Sequence, residues 1–183
     1  MQAVAATVRI INGINGALGK LFSWFPLLIV LICFAVVVMR YAFRTGSVPM
    51  QDLYIWLNGA MFMGIAGYAL MRDSHVRVDI FYREARTRTK AIVDMIGSVL
   101  FVGPFLWTVA FWGWPYVARS WSFQESSPNM GGLPGLFILK SFILVFVAVV
   151  GFQALALFLR GVLVLADRED LLPPAMRYPA REV

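Results

Sequence analysis

The sequence predicts an all-α integral membrane protein with four transmembrane helices, and three observations lead to this fold class. Hydrophobic residues make up 60% of the 183 residues, and the mean hydropathy is +0.75, unlike an ordinary soluble domain. Four long runs carry almost no charge, and a helix needs about 20 apolar residues to cross a hydrocarbon core of about 30 Å. Helices satisfy their own backbone in lipid, whereas the strands of a barrel would be shorter and would alternate in polarity.

The first element is an N-terminal segment over residues 1–20. Its apolar residues recur at helical spacing, at Val4, Val8, Ile11, Ile14 and Leu18. The intervening glycines lower helix propensity. The pattern predicts a short amphipathic helix on the cytoplasmic membrane surface or against a partner, and a frayed tail is the alternative.

A membrane domain over residues 21–165 follows, with spans at residues 21–43, 53–71, 95–118 and 141–159. Asn58 in the second span and Gln153 in the fourth are intramembrane polar residues, and we expect Gln153 to hydrogen bond between helices. Ala60, Gly64 and Gly67 share one face of the second span. Small residues at this spacing permit close helix contact, within this chain or in a dimer.

Basic residues are distributed unevenly among the connections. Two precede the first span, six lie between the second and third, and four follow the last, whereas the remaining two connections hold two each. The positive-inside rule then places both termini and the middle loop in the cytoplasm. The net charge of +6 is thereby explained by membrane orientation without a nucleic-acid partner. Residues 166–183, charged and proline-rich, are predicted to form a poorly ordered cytoplasmic tail.

The middle loop begins with a strict alternation of polar and apolar residues. His75, Arg77 and Asp79 alternate with valines and an isoleucine, which is typical of an extended segment. Asp79 is predicted to cap a cytoplasmic surface helix over residues 80–90. Two interpretations stay open: the segment only leads the chain out of the membrane, or its polar face is a subunit contact.

The connection before the last span is rich in turn residues, with two prolines and three glycines. As the longest outer segment it is the predicted place for contact with an external partner, and Glu125, Ser126 and Lys140 are the candidate residues. The structural alternative is that Glu125 pairs with Arg119 or Lys140 and only holds the loop.

The sequence lacks the residues that several kinds of functional site require. The single histidine, His75, cannot provide paired axial haem ligands, and the single cysteine, Cys33, cannot form a disulfide within the chain. The predicted spans contain no Asp, Glu or Lys, the residues that usually mark ion pathways, and no phosphate-binding loop of the GxxxxGK type occurs. We therefore expect no catalysis, cofactor or metal, and a chain that works through other proteins.

Three stretches together resemble a known family. "HVRVDIFY" follows the second span, "SWSFQESSP" and "GLPGLFILK" precede the fourth, and a glutamine lies within the fourth. Their order and spacing over residues 20–165 resemble the small membrane subunit of tripartite ATP-independent periplasmic (TRAP) transporters, the DctQ-like family.

The resemblance implies an accessory subunit in the bacterial inner membrane. It would brace a separate large permease subunit, which carries the substrate and sodium sites, and help to receive a periplasmic substrate-binding protein. Uptake of organic anions, usually carboxylates, would be driven by sodium. Two other functions stay open: a membrane-anchor or assembly subunit of a redox enzyme, and a self-contained small channel.

Overall fold

The computed structural model describes residues 1–73, 82 and 85–178, and within these ranges it is helical without strands. The α-helices are α1 (Gln2–Phe22), α2 (Phe25–Ala42), α3 (Val48–Met71), α4 (Thr87–Gly97), α5 (Gly103–Ser122) and α6 (Leu136–Leu165). Four stretches are long and apolar enough to cross a membrane: Gln2–Ala42, Val48–Met71, Thr87–Ser122 and Leu136–Leu165. The predicted all-helical class with four membrane-length helices is confirmed.

Successive membrane-length stretches run antiparallel and define two ends of the bundle. The start of α1, the end of α3, the start of α4 and the end of α6 share one end, which we call the termini side. The connections over residues 43–47 and 123–135 share the other, which we call the loop side. The Phe22 and Phe142 rings, 6.2 Å apart, and the hydrogen bond between Asn15 and Gln153 fix the antiparallel register of α1 and α6.

Helix α1 covers nearly all of the predicted segment and ends at Phe22, and it packs against α3 and α6 of this chain. A frayed N-terminal tail is therefore wrong. The packed face is also rotated from the predicted one, because Asn15 is buried and Ile14 is 48% exposed. Glycines explain the difference: a side chain at Gly19 would collide with the Tyr68 ring of α3. The residues that weaken helix propensity let the two helices approach closely.

Helix α2 packs mainly against α3 and has no buried residue. It starts with Pro26 in its first turn, where the missing N–H has no helical partner to lose. Its side chains are apolar on all sides, and large ones that include Leu31, Phe34 and Val37 are exposed. A helix that is apolar all round requires lipid or other protein around it.

Helices α4 and α5 form one continuous rod joined by a π-helical turn, Ser98–Val102. The Gly103 N–H donates to the Ser98 carbonyl, and the next residue, Pro104, has no N–H to continue the α-helical pattern. The predicted surface helix over residues 80–90 is corrected here: Tyr82, Ala85 and Arg86 are not helical, and α4 begins at Thr87. The other residues of that stretch before Thr87 lie outside the described ranges.

The C-terminal segment is ordered against the bundle as far as Tyr178, contrary to the predicted loose tail. Two short 3-10 turns follow α6. Leu172 is 1% exposed and packs with Ala5, Val8 and Leu163. The tail therefore buries the apolar side of α1 where α1 extends past the end of α3.

Candidate partner-binding and anchoring sites

The predicted contact residues fall into three groups. His75, Arg77 and Asp79 lie outside the described residues, so their docking role stays a prediction. Gln153 lies in the seam between α1 and α6, and Asn58 lies on the outward face of α3. Glu125, Ser126 and Lys140 lie on the loop side.

Gln153 is the centre of a buried amide chain that ties α1 to α6. Its Oε1 accepts from Asn15 Nδ2 at 2.8 Å, and its Nε2 donates to Asn12 Oδ1 at 3.0 Å. Asn15 Nδ2 also donates to the Val149 carbonyl at 3.3 Å. Gln153 is 2% exposed and Asn15 is 1% exposed. Both amides are therefore satisfied by this chain itself.

The third helix closes this seam through its small residues. Ala60, Gly64 and Gly67 are all buried. A Cβ atom on Gly67 would lie 2.6 Å from both Asn15 Oδ1 and the Val149 carbonyl oxygen, so only glycine fits between α1 and α6 at this level. The small-residue face packs within this chain.

Asn58 has the opposite environment. It lies near the middle of α3 and is exposed, and none of the hydrogen bonds found among the described residues involves its side chain. Ile55 is 55% exposed and Phe62 is 66% exposed, and both lie on the same face at helical spacing. The amide thus lies in an apolar strip that is largely exposed in the described structure.

Glu125 and Lys140 form an ion pair that fixes the loop side. Lys140 Nζ donates to Glu125 Oε2, and Ser120 Oγ donates to the same oxygen at 2.6 Å. Lys140 also lies 4.2 Å from the centre of the Tyr116 ring. The Lys140 ammonium, followed by the Ser120 hydroxyl, lowers the pKa of the Glu125 carboxyl below its ordinary value. Of the two pairings expected for a structural role of Glu125, Lys140 rather than Arg119 is the partner.

Asp52, which the sequence analysis did not select, organises the rest of the same connection. It is 2% exposed and accepts from Asn129 Nδ2 at 2.7 Å and from the Leu133 N–H at 3.0 Å. Ser127 N–H donates to the Leu133 carbonyl at 2.9 Å and closes the loop. In the sequence, Asp52 is recognisable only as an aspartate that directly precedes an apolar run, and nothing there identifies its hydrogen-bond partners. Ser126, by contrast, is exposed.

A second unpredicted cluster surrounds Asp94 on the termini side. Its carboxylate accepts from Tyr178 Oη at 2.8 Å, from Arg160 Nη2 at 3.2 Å and from Tyr82 Oη at 3.0 Å. The Arg160 guanidinium lies 4.0 Å from the centre of the Tyr178 ring. Burial raises the pKa of the Tyr178 hydroxyl, so it stays protonated and donates. The cluster locks α4, α6 and the tail together.

The described carboxylates of the bundle thus serve as structural anchors at its two ends. In the described ranges no group of three or more His, Cys, Asp or Glu residues is arranged to hold a metal ion. These bonds hold the helices and the tail in fixed positions. Two surfaces have exposed side chains that are available to other proteins: the Asn58 strip and the exposed part of the loop side.

Comparison with protein-family models gave a match. A family model described as "Tripartite ATP-independent periplasmic transporters, DctQ component" matches residues 29–164. The matched range includes Asn58, Glu125 and Gln153, whereas α1 and the tail lie outside it. No curated protein matches the chain, and no solved structure matches it.

Proposed function

The chain belongs to the DctQ family, the small membrane component of TRAP transporters, and we propose that its task is to brace the large permease in the bilayer and to help dock the substrate-binding protein. The family works with both of these partners. A membrane anchor of a redox enzyme is not favoured by this membership.

The environment of Asn58 carries the bracing proposal. An amide without a hydrogen-bond partner is unfavourable in hydrocarbon, and polar residues in membrane helices usually bond to a neighbouring helix. Because Asn58 is exposed near the middle of α3 and finds no bond among the described residues, its partner is expected on another chain. The proposed contact is a polar group of a permease helix laid along the Ile55–Phe62 strip.

Helix α2 extends this surface. It has no buried residue and packs mainly on α3, so both helices have large apolar areas available to another membrane protein. Part of this surface would contact lipid and part would contact the permease. The single cysteine, Cys33, is exposed on α2 and provides a natural position for cross-linking to a neighbouring helix.

The loop side supports the docking proposal. Glu125, Lys140 and Asp52 are occupied with holding the connection in shape, so the residues available to a soluble partner are those displayed by that frame. Ser126 is exposed, and Met130 is 96% exposed. We propose that this displayed part of the loop contacts the binding protein, while Glu125 acts indirectly by fixing it.

The family resemblance also implies an energy source and a cargo. We propose sodium-driven uptake of an organic anion of the carboxylate class across the bacterial inner membrane. The engagement of the described carboxylates in structural bonds supports placing the sodium and substrate sites on the permease.

The proposed orientation has the termini side in the cytoplasm, on the basis of the charge distribution. Cysteines at Thr89 and Ser126, two exposed positions at opposite ends of the bundle, test it against a Cys33→Ser background. A membrane-impermeant maleimide applied to intact cells should label the Ser126 position alone. Labelling of the Thr89 position from outside would invert the topology.

Reconstitution tests the function as a whole. In liposomes with a sodium gradient, the chain alone should accumulate no substrate, and the large permease with the binding protein should reach full uptake only when this chain is added. Uptake by this chain alone would contradict the accessory role, and full uptake without it would contradict the bracing role.

A further inference from the structure

A cavity of about 250 Å³ opens on the termini side between α1, α3, α6 and the tail. Its polar lining consists of Arg9, Asn12, Arg72, Gln153 and Arg160. The remaining lining is apolar or glycine, and none of the described lining residues is Asp or Glu. The cavity is therefore rich in hydrogen-bond donors and positive charge, at the end of membrane-length helices.

Two of the three arginines have no carboxylate partner among the described residues. Arg9 Nε donates only to the Ala5 carbonyl of its own helix, and both Arg9 and Arg72 are exposed. Neither forms an ion pair with a carboxylate among the described residues. Arg160 is paired with Asp94 through Nη2, but its Nε is buried without a hydrogen-bond partner in the described structure. Within the described structure the cavity thus retains positive charge that no carboxylate balances.

The amides add further donors. Asn12 Oδ1 is occupied by Gln153, so the Asn12 amide group can donate from its nitrogen. Guanidinium and amide donors directed at one space suit an anion with several oxygen atoms, and arginine is well matched to phosphate. The cavity is smaller than the usual 300–1,000 Å³ of a ligand site, so it fits a charged group rather than a large molecule.

The surroundings favour a lipid as the source. Basic pockets between membrane helices at the cytoplasmic surface bind anionic headgroups, and apolar residues such as Val8, Met71 and Leu157 line the same cavity. We propose that this cavity binds a phosphate-bearing anion, supplied by the headgroup of an anionic phospholipid or by free phosphate. Because Ala175 and Met176 form part of the wall, the bound anion would also hold the tail on the bundle.

The experiment compares the full chain with an Arg9→Gln/Arg72→Gln variant. Binding of phosphatidylglycerol to delipidated protein in detergent is titrated by native mass spectrometry, with phosphatidylcholine as the zwitterionic reference. Each arginine is expected to contribute about fivefold in affinity, so the double variant should bind phosphatidylglycerol about 25-fold more weakly. A Lys20→Gln/Arg86→Gln variant, which removes two exposed charges outside the cavity, is the matched control and should bind like the wild type.

A parallel titration with inorganic phosphate, read as a rise in the unfolding temperature, distinguishes the two sources. Saturable stabilisation by phosphate that the double variant loses would assign the site to a free anion. Binding of phosphatidylglycerol alone, lost in the double variant, would assign it to a lipid. If the double variant does not fold, Arg72→Gln alone is measured, and it should bind phosphatidylglycerol about fivefold more weakly than the wild type. Equal affinities for wild type and variants, or no saturable binding of either probe, would overturn the proposal.

Discussion

Gln153 and Asn58 are both amides in membrane-length helices, but their surroundings are opposite. Gln153 is 2% exposed and bonded to Asn12 and Asn15 of α1. Asn58 is exposed and has no hydrogen bond to the described part of the chain. The first amide joins helices of this chain, whereas the second is available to a helix of another chain.

We propose that the difference separates residues that stabilise the fold from residues that contact the permease. The seam around Gln153 also contains Gly67 and Asn15, which fit each other closely. The strip around Asn58 contains large apolar side chains that are more than half exposed, Ile55 and Phe62. Changes in the seam should therefore reduce the stability of the isolated chain, and changes in the strip should reduce only its association with a partner.

Gly67→Ala should have the largest effect. The added methyl group would lie 2.6 Å from the Val149 carbonyl oxygen, and a backbone atom cannot move aside as a flexible side chain can. We expect a loss of about 3 kcal/mol in the free energy of unfolding, measured by thermal or chemical unfolding of the purified chain in detergent.

Gly13→Ala is the matched control for this change. Nothing lies within 4 Å of a Cβ atom at Gly13, so alanine there should leave stability unchanged or raise it by up to about 1 kcal/mol. Equal behaviour of the two variants would show that α1, α3 and α6 do not pack as described.

Tyr178→Phe tests the termini-side end of the seam. It keeps the ring over Arg160 but removes the hydroxyl bond to the Asp94 carboxylate, and we expect a loss of about 1.5 kcal/mol. Faster trypsin cleavage at Arg177 should accompany it, because the tail would detach more often. Tyr41→Phe, at an 80% exposed position, should change neither quantity; a tail equally protected in both variants would contradict the lock.

Glu125→Gln and Ser126→Ala extend the comparison to two neighbouring residues of the loop side. Glu125 is bonded within the chain, whereas Ser126 is exposed. The pKa of Glu125 is lowered in the folded state by Lys140 and Ser120, so its ionised form stabilises the fold above its ordinary pKa of 4.5. That stabilisation is lost as the pH falls through the lowered folded-state pKa.

The variant should therefore unfold at a lower temperature than the wild type at pH 7, and the difference should shrink under acidic conditions. Ser126→Ala should leave the unfolding temperature unchanged at every pH. A difference for Glu125→Gln that is independent of pH would show that the ion pair with Lys140 does not stabilise the loop side.

The sequence was sufficient for the membrane class because uncharged apolar runs of about 20 residues are typical of helices that cross a bilayer. It was not sufficient for α1, whose packed face includes Asn15 and glycines instead of a regular apolar stripe. The prediction of a poorly ordered tail rested on its charged and proline-rich composition. Composition does not show that two of its residues, Leu172 and Tyr178, pack into the bundle.

The anchors at both ends were missed for a related physical reason. Asp52 and Asp94 each directly precede a predicted span, and a carboxylate next to a membrane span is normally solvated. Their partners lie far along the chain: Asn129 and Leu133 for Asp52, and Arg160 for Asp94. Contacts over such distances depend on the arrangement of the helices, which no local pattern contains.

Parallel measurements on Asn58→Leu and Gln153→Leu test the central claim most directly. Each variant is assayed twice: for the unfolding temperature of the isolated chain, and for the amount of large permease retained on it in detergent. Gln153→Leu should lower the unfolding temperature. Asn58→Leu should leave it unchanged and weaken permease retention by about 1 kcal/mol, at most about 2, with Asn58→Gln restoring retention in part. Full permease retention by Asn58→Leu, or a lowered unfolding temperature of its isolated chain, would contradict the assignment of Asn58 to the complex.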